Sequence, residues 1–245
     1  MLTPHTDLAR TDRRSRICLS VRGMILEPLP CGALWWAARR VLIVSDLHFE
    51  KGSSFAARGQ LLPPYDTSAT LSCVEALVAE LAPDTVISLG DSFHDGRAEA
   101  RLSPTDASRI RTLTGRTDWV WVEGNHDPDP PAHLGGRAAK VLRIADLVFR
   151  HEPTGEPGEV AGHLHPCARI AGRGRSLRTR CFAGDGHRLV MPALGAFTGG
   201  LNVLDPAFRP VFPGGFTAFA LGSSRVYPVS RARLCADTRT SRWHL

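Results

Sequence analysis

Apolar residues recur along this chain with two periods. The run VLIVSD (41–46) is short, apolar and β-branched, and it stops at an acid, so it reads as a buried strand. TVISLGD (85–91) and WVWVEGNHD (119–127) repeat the theme, each ending in a polar turn. Between them the spacing becomes helical. Leu71, Val74, Leu77, Val78 and Leu81 predict a helix to about Leu81, capped by Asp66, Thr67 or Ser68 and stopped by Ala82-Pro83-Asp84. Ser103-Pro104 starts another helix, with proline in its first position. Residues 53–58 make one or two helical turns, and Leu62-Pro63-Pro64-Tyr65 is a rigid connector. Buried strands alternating with helices give an α/β pattern with a mostly parallel sheet. Ligands of such sheets bind beyond the carboxyl ends of the strands.

The flanking regions read differently. Residues 1–16 form a flexible basic arm, and 17–25 a first strand. Residues 141–144 and 147–150 form a hairpin around Ala145-Asp146, followed by a loop over 152–158. Short strands are predicted at 159–164, about 168–171, 187–191 and 217–220, as a mainly antiparallel second sheet packed on the first. No repeat or Gly/Ser-rich linker divides the chain, so one domain over 17–230 is expected, followed by a basic tail over 231–245.

Composition narrows the class. Hydrophobic residues make up 43% and charged residues 22%, which suits a soluble globular chain. No apolar run is long enough for a membrane helix, and residues 1–16 lack the apolar core of a secretory signal. Cys18, Cys31, Cys73, Cys167, Cys181 and Cys235 form no C-x-x-C pair, which fits free thiols in a reducing cytoplasm and no zinc finger. The net charge is +6, and only Lys51 and Lys140 are lysines among the 30 basic residues. A polyanionic partner explains that balance, and so does arginine-rich codon usage. Arg169, Arg173, Arg175, Arg178, Arg180 and Arg188 share a stretch whose only acid is Asp185, and further arginines crowd the C-terminus.

Five polar clusters follow strands or sit in turns: Asp46-Leu47-His48, Gly90-Asp91-Ser92-Phe93-His94, Gly124-Asn125-His126-Asp127, His151, and Gly162-His163-Leu164-His165. In an extended segment, residues two apart share a side, so Asp46 and His48 can reach one ion, as can His163 and His165. Asp91 ends a buried strand, where an isolated carboxylate is costly and a cation would offset the cost. Taken singly, each cluster also reads as ordinary turn or capping chemistry.

The set in chain order, D-x-H, G-D-x-x-H, G-N-H-D, H, G-H-x-H, resembles the calcineurin-like metallophosphoesterase superfamily over residues 41–166. That resemblance implies a two-sheet β-sandwich flanked by helices, with a dinuclear metal centre at the strand ends. By motif, Asp46, His48, Asp91 and His165 would hold the first ion, with Asp91 bridging. Asn125, His151 and His163 would complete the second site. Two carboxylates, an amide oxygen and four imidazoles suit Mn, Fe, Zn or Co better than calcium; the resemblance favours Mn2+. Such a centre clamps a phosphate and activates water. His126 matches the family's general acid, and imidazole is the side chain that titrates near neutrality. Phosphoprotein phosphatases carry G-D-x-x-D-R-G, whereas His94 stands here, as in the phosphodiesterase and repair-nuclease branches. His94 would partner His126 or contact the phosphate.

A narrower resemblance comes from DLHFEKGSSFAARGQLLPPYDT (46–67) and MPALGAFTGGLN (191–202), which look like the bacterial ligase-associated metallophosphoesterases. It implies a cytoplasmic phosphodiesterase acting on DNA, single strands favoured, as endonuclease or end-processing enzyme. It also implies a repair link to a DNA ligase and a helicase; phosphomonoesterase activity is expected on separate grounds, because a metal clamp holds phosphate whatever its second ester. Lys51 and Arg58 are candidate phosphate contacts or solvated charges; Arg173, Arg175 and Arg178 are candidate contacts to a DNA backbone. Two alternatives stay open: a diesterase of small nucleotides, and a non-catalytic nucleic-acid-binding scaffold.

Overall fold

Alternation within the apolar runs decides what each strand faces. Residues 41–44 are buried throughout, and in a strand Val41 and Ile43 point opposite to Leu42 and Val44. A strand buried on both faces needs a layer on each side. The computed structural model describes residues 17–237 apart from Leu61, Pro64, Pro130 and Arg173, and it supplies both layers. Val41 and Ile43 join a core between two sheets, while Leu42 and Val44 join a second core beneath helices.

The first sheet runs in chain order: β1 (Leu19–Val21), β2 (Met24–Pro28), β3 (Leu34–Trp36), β4 (Val41–Val44), β5 (Thr85–Leu89), β6 (Asp118–Val122) and β7 (Arg137–Ala139). Strands β4 to β7 are parallel neighbours, but β1 to β4 pair antiparallel. The sheet is therefore half parallel. Residues 17–25 are not one strand. Arg22 and Gly23 both take left-handed φ, 51° and 80°, and fold the segment into the β1–β2 hairpin.

Among the described residues, four α-helices accompany this sheet: α1 (Lys51–Ala56), α2 (Asp66–Leu81), α3 (Ala98–Arg101) and α4 (Pro104–Arg116). Leu71 and Val74 of α2 and Ile110 and Leu113 of α4 pack on Leu42, Val86, Trp119 and Trp121. Helix α4 starts as expected, with Ser103 Oγ accepting from the Asp106 amide at 3.0 Å. Helix α2 has no side-chain cap. Asp66 instead accepts from the Gly52 amide at 2.9 Å, and Thr67 Oγ1 accepts from the Glu50 amide at 2.8 Å. Two of the expected caps are committed to holding α1.

The second sheet contains β8 (Leu142–Ile144), β9 (Leu147–Arg150), β10 (Glu159–Ala161), β11 (Cys167–Ala171), β12 (Ser176–Gly184), β13 (Leu189–Val190), β14 (Thr217–Leu221) and β15 (Val226–Val229). Its order is β15-β14-β12-β13-β10-β9-β8, with β11 paired to β12. It is mainly antiparallel, but β9, β10 and β13 are parallel to one another. Its outer face is covered by Phe208, Val211 and Phe212. Residues up to Asp237 adhere to it: Leu234 packs there, and the Cys235 amide donates to Arg169 O at 2.9 Å. The basic arm and residues 238–245 lie outside the described residues. Among the described residues no helix is long and apolar enough to cross a membrane, and all six cysteines are unpaired.

Candidate metal centre

The carboxyl ends of β4, β5 and β6 are neighbours in one sheet, and those of β9 and β10 are neighbours in the other. Each polar cluster follows one of these five ends. Backbone bonds tie the clusters together. The His48 amide donates to Asp91 O at 2.9 Å and the Phe49 amide to Ser92 O at 2.8 Å. The His163 amide donates to Asp46 Oδ2 at 3.2 Å and so joins the two sheets.

The seven expected ligands converge. Asp46, His48 and His165 form one group, and Asp91, His151 and His163 another; within each, the ligating atoms lie within 4.8 Å of one another. His165 Nε2 is 2.9 Å from Asp46 Oδ1. His151 stands between the groups. Its Nδ1 lies 3.0 Å from the Leu89 carbonyl, which can only accept, so Nδ1 carries hydrogen. Its Nε2 faces Asn125 Oδ1 at 2.8 Å, His163 Nδ1 at 3.1 Å and Asp91 Oδ2 at 3.3 Å. Nδ1 is also 3.7 Å from Asp46 Oδ1.

The convergence does not come from extended backbone, as the spacing suggested. Asp46 (φ 52°), His48 (45°), Asp91 (45°), His163 (66°) and His165 (43°) all occupy the left-handed region. The D-x-H and H-x-H segments coil, and the ligands meet because alternate residues turn back. Each such residue costs on the order of 1–3 kcal/mol, and strain of this kind persists only where the surroundings enforce it. Two glycines make room. A Cβ on Gly90 (φ 67°) would stand 2.5 Å from the His151 ring, and one on Gly124 would stand 2.2 Å from the Asp91 amide nitrogen.

The donor set fits cations. Both ring nitrogens of buried His48 lack a hydrogen-bond partner. Burial pulls its imidazole down to about 3, which leaves a lone pair for coordination. Burial opposes the charge of Asp46, yet His165 and His151 hold its carboxyl well below the usual range. Asp91 is held down against burial by the His151 hydrogen bond. Burial also opposes a charged His151, but Asp91 and Asp46 push it up to about 9. Metal binding to such groups displaces protons from the imidazoles. Lone-pair atoms 2.8–3.3 Å apart match the separations around an ion with bonds of about 2.0–2.2 Å. Asn125 and His126 are exposed while Asp46, His48, Asp91 and His151 are buried, so the centre is open on one side.

Residues 39–197, which contain every residue of this centre, match the family model for calcineurin-like phosphoesterases. The chain belongs to that family. It is a metal-dependent phosphoesterase. Among solved structures, the Pseudomonas putida nuclease MPE is 29% identical, covers 88% of this chain and 100% of its own, and superposes with a TM-score of 0.67. An Aquifex aeolicus protein of unknown function (17%, covering 51% and 78%, TM-score 0.36) and the E. coli phosphoesterase Yfce (14%, 77% and 97%, 0.40) also match. No curated protein matches.

Around the metal groups this phosphoesterase places two further histidines. The His126 amide donates to Asp91 Oδ1 at 2.9 Å, and its Nε2 lies 3.9 Å from Asp91 Oδ2. His94 stacks on His126 with centroids 5.7 Å apart and 13° between planes. Burial, then the charges of Lys51 and His126, pull His94 down to about 4. Lys51 is largely buried, whereas Arg58 is exposed. The arginine contacts expected of residues 169–188 are mostly internal. Arg178 binds the Gly200 carbonyl and Asp237, and Arg180 donates to Ala193 O at 2.7 Å. Arg175 is exposed in the β11–β12 turn, and Arg173 lies outside the described residues.

Three contributors escaped the sequence reading. The Ser45 hydroxyl donates to Asp46 Oδ2. Asp127 Oδ2 accepts from the Ser92 and Phe93 amides at 2.8 and 3.1 Å, and burial pushes the carboxyl up to about 7. The Leu194 and Gly195 amides donate to the carbonyls of Ser45 and Asp46 at 2.8 and 3.1 Å. Ser45 and Asp127 sit inside the motifs, which was the available signal. Nothing in sequence spacing links residue 195 to residue 46.

Proposed function

We propose that this phosphoesterase is a two-metal phosphodiesterase that cuts DNA, single strands favoured, as an endonuclease or end-processing enzyme of cytoplasmic repair. Asp46, His48, Asp91 and His165 hold one ion; Asn125, His151 and His163 complete the other site, with Asp91 between them. Manganese is the favoured metal. When bound, the ions clamp the phosphate and lower the pKa of a water.

The observation that carries the reading is the placement of His126. Its backbone is anchored on Asp91, while its ring stays exposed beside both groups without joining either. That is the position of a proton donor. His126 Nε2 delivers a proton to the leaving oxygen, and the flat face of neutral His94 sets the plane of its ring. The P. putida neighbour, whose name is that of a nuclease, supports a nucleic-acid substrate. A link to a DNA ligase and a helicase rests on the motif resemblance alone. Phosphomonoesters are secondary substrates, since the clamp does not depend on the second ester.

The test is circular single-stranded DNA with purified protein and Mn2+. Linearised and shortened products are expected, together with hydrolysis of an aryl phosphodiester. Aryl hydrolysis with intact circles and intact linear strands would transfer the protein to small-molecule diesters.

A further inference from the structure

Lys51 is 6% exposed and opens α1. Its ammonium lies 5.9 Å from the centre of the Phe55 ring, and among the described residues it has no hydrogen-bonded or ion-paired partner. The acids around it are engaged elsewhere. Glu50 accepts from Ser53 Oγ at 2.6 Å and Thr67 Oγ1 at 2.9 Å. Asp66 accepts from the Gly52 amide. Asp95 holds Ser54 Oγ at 2.7 Å and Arg101 at 2.9 Å. An interior cation with no anion in direct contact is costly: burial pulls this ammonium down, and the carboxylate of Asp66, held by the Gly52 amide, offsets only part of that.

The position of that cation gives it a use. The Phe55 ring is 5.9 Å from both the Lys51 ammonium and the His94 ring. The His94 ring in turn is 5.6 Å from that of His48, in the first metal group, and stacks on His126. The order Lys51, Phe55, His94, His126 leads to the proposed proton donor, and so to the leaving-group side.

We infer that Lys51 seats a second, non-scissile phosphodiester of a polynucleotide, on the leaving-group side of the bond that is cut. The inference rests on the nucleic-acid reading above and deepens it. A substrate with one phosphate leaves Lys51 with only the more distant charge of Asp66; a polynucleotide supplies an anion in direct contact. The site thereby favours chains over small diesters, using one charge-assisted contact and no base readout.

The experiment compares wild type, K51M and K51R on a single-stranded oligonucleotide and on an aryl phosphodiester with one phosphate. K51M should lower kcat/KM for the oligonucleotide about tenfold more than for the aryl diester, chiefly through KM, as expected for one hydrogen bond to a charged group. K51R should recover most of that difference. Oligonucleotide binding, read by fluorescence anisotropy in EDTA, should lose about 0.7 from its log–log salt slope in K51M. Equal losses on both substrates, or no loss on either, overturn the inference while leaving DNA cleavage standing. A wild type that hydrolyses the aryl diester but neither binds nor cuts the oligonucleotide overturns the nucleic-acid reading, and this inference with it.

Discussion

The loops at the ends of β4 and β5 and the β11–β12 hairpin both concentrate charge, and they use it in opposite ways. In the loops, Asp46 and Asp91 are buried, strained in backbone and surrounded by imidazoles drawn from residues 48–165. In the hairpin, Arg178 is 41% exposed and Arg180 partly buried, and each binds a carbonyl of the 193–200 loop. The carboxylates gain their meaning from groups distant in sequence. The arginines, adjacent in sequence, are separated by the alternation of a strand and by internal partners. Density of charge along the chain is therefore a weaker guide to function than sparse residues recurring at strand ends.

The largest expected effect breaks the first region. His165→Ala removes a nitrogen 2.9 Å from Asp46 Oδ1, one of the four groups proposed to hold the first ion. Metal content and hydrolysis should fall together, with turnover reduced by more than about 10²-fold, the upper range for losing a mere supporting residue. Mass-spectrometric metal analysis on the purified variant checks it. Two ions per chain with normal turnover would take His165 out of the centre.

His126→Ala should separate chemistry from binding. Its side chain belongs to neither metal group, so both ions should stay. Turnover should fall roughly 10²–10⁴-fold on alkyl leaving groups, and less on nitrophenolate, which leaves without a proton. An equal loss on both kinds of substrate would make His126 a phosphate contact instead.

A smaller effect is expected from Ser45→Ala. The serine hydroxyl donates to the oxygen of Asp46 that also receives the His163 amide. Its loss should weaken metal affinity about 10–100-fold at unchanged fold stability, as for other residues that orient a ligand. Titration with Mn2+ against activity reads the shift; unchanged affinity would leave Asp46 oriented by the His163 amide alone.

What the sequence disclosed follows the same division. Buried strands β4, β5 and β6 were legible because apolar runs ended abruptly at acids. The candidate ligands were legible because their order is that of a known family. The geometry was not. Extended D-x-H was the natural reading, and five left-handed residues contradict it, since tertiary packing imposes backbone that local preference resists. Strand β12 was missed because Arg178 and Arg180 interrupt its apolar pattern before Cys181 and Phe182 enter the cores. The cap of α2 was misassigned because Asp66 and Thr67 have better partners in α1 than in their own helix.

The smallest expected effect sharpens the hairpin side. Arg178 and Arg175 have the same charge but different surroundings. Arg178 ties β12 to Gly200, and a Cβ on Gly200 would lie 2.0 Å from the His165 carbonyl, so this arginine braces the segment behind a ligand. Arg175 is exposed in the turn. Arg178→Ala should therefore cost about 1 kcal/mol, mainly its bond to Gly200 since the half-exposed pair with Asp237 adds little, and lower Tm by about 2–4 °C for a chain of this size. Its salt dependence of DNA binding should stay close to that of the wild type. Arg175→Ala should leave Tm unchanged. If the turn touches a DNA backbone, its salt slope should fall by about 0.7, the value for one phosphate on a single strand. Thermal melting and anisotropy across a salt series measure both on the same samples. A flattened slope in the Arg178 variant without loss of Tm would reverse the assignment, making the strand arginine the DNA contact and the internal bond to Gly200 dispensable.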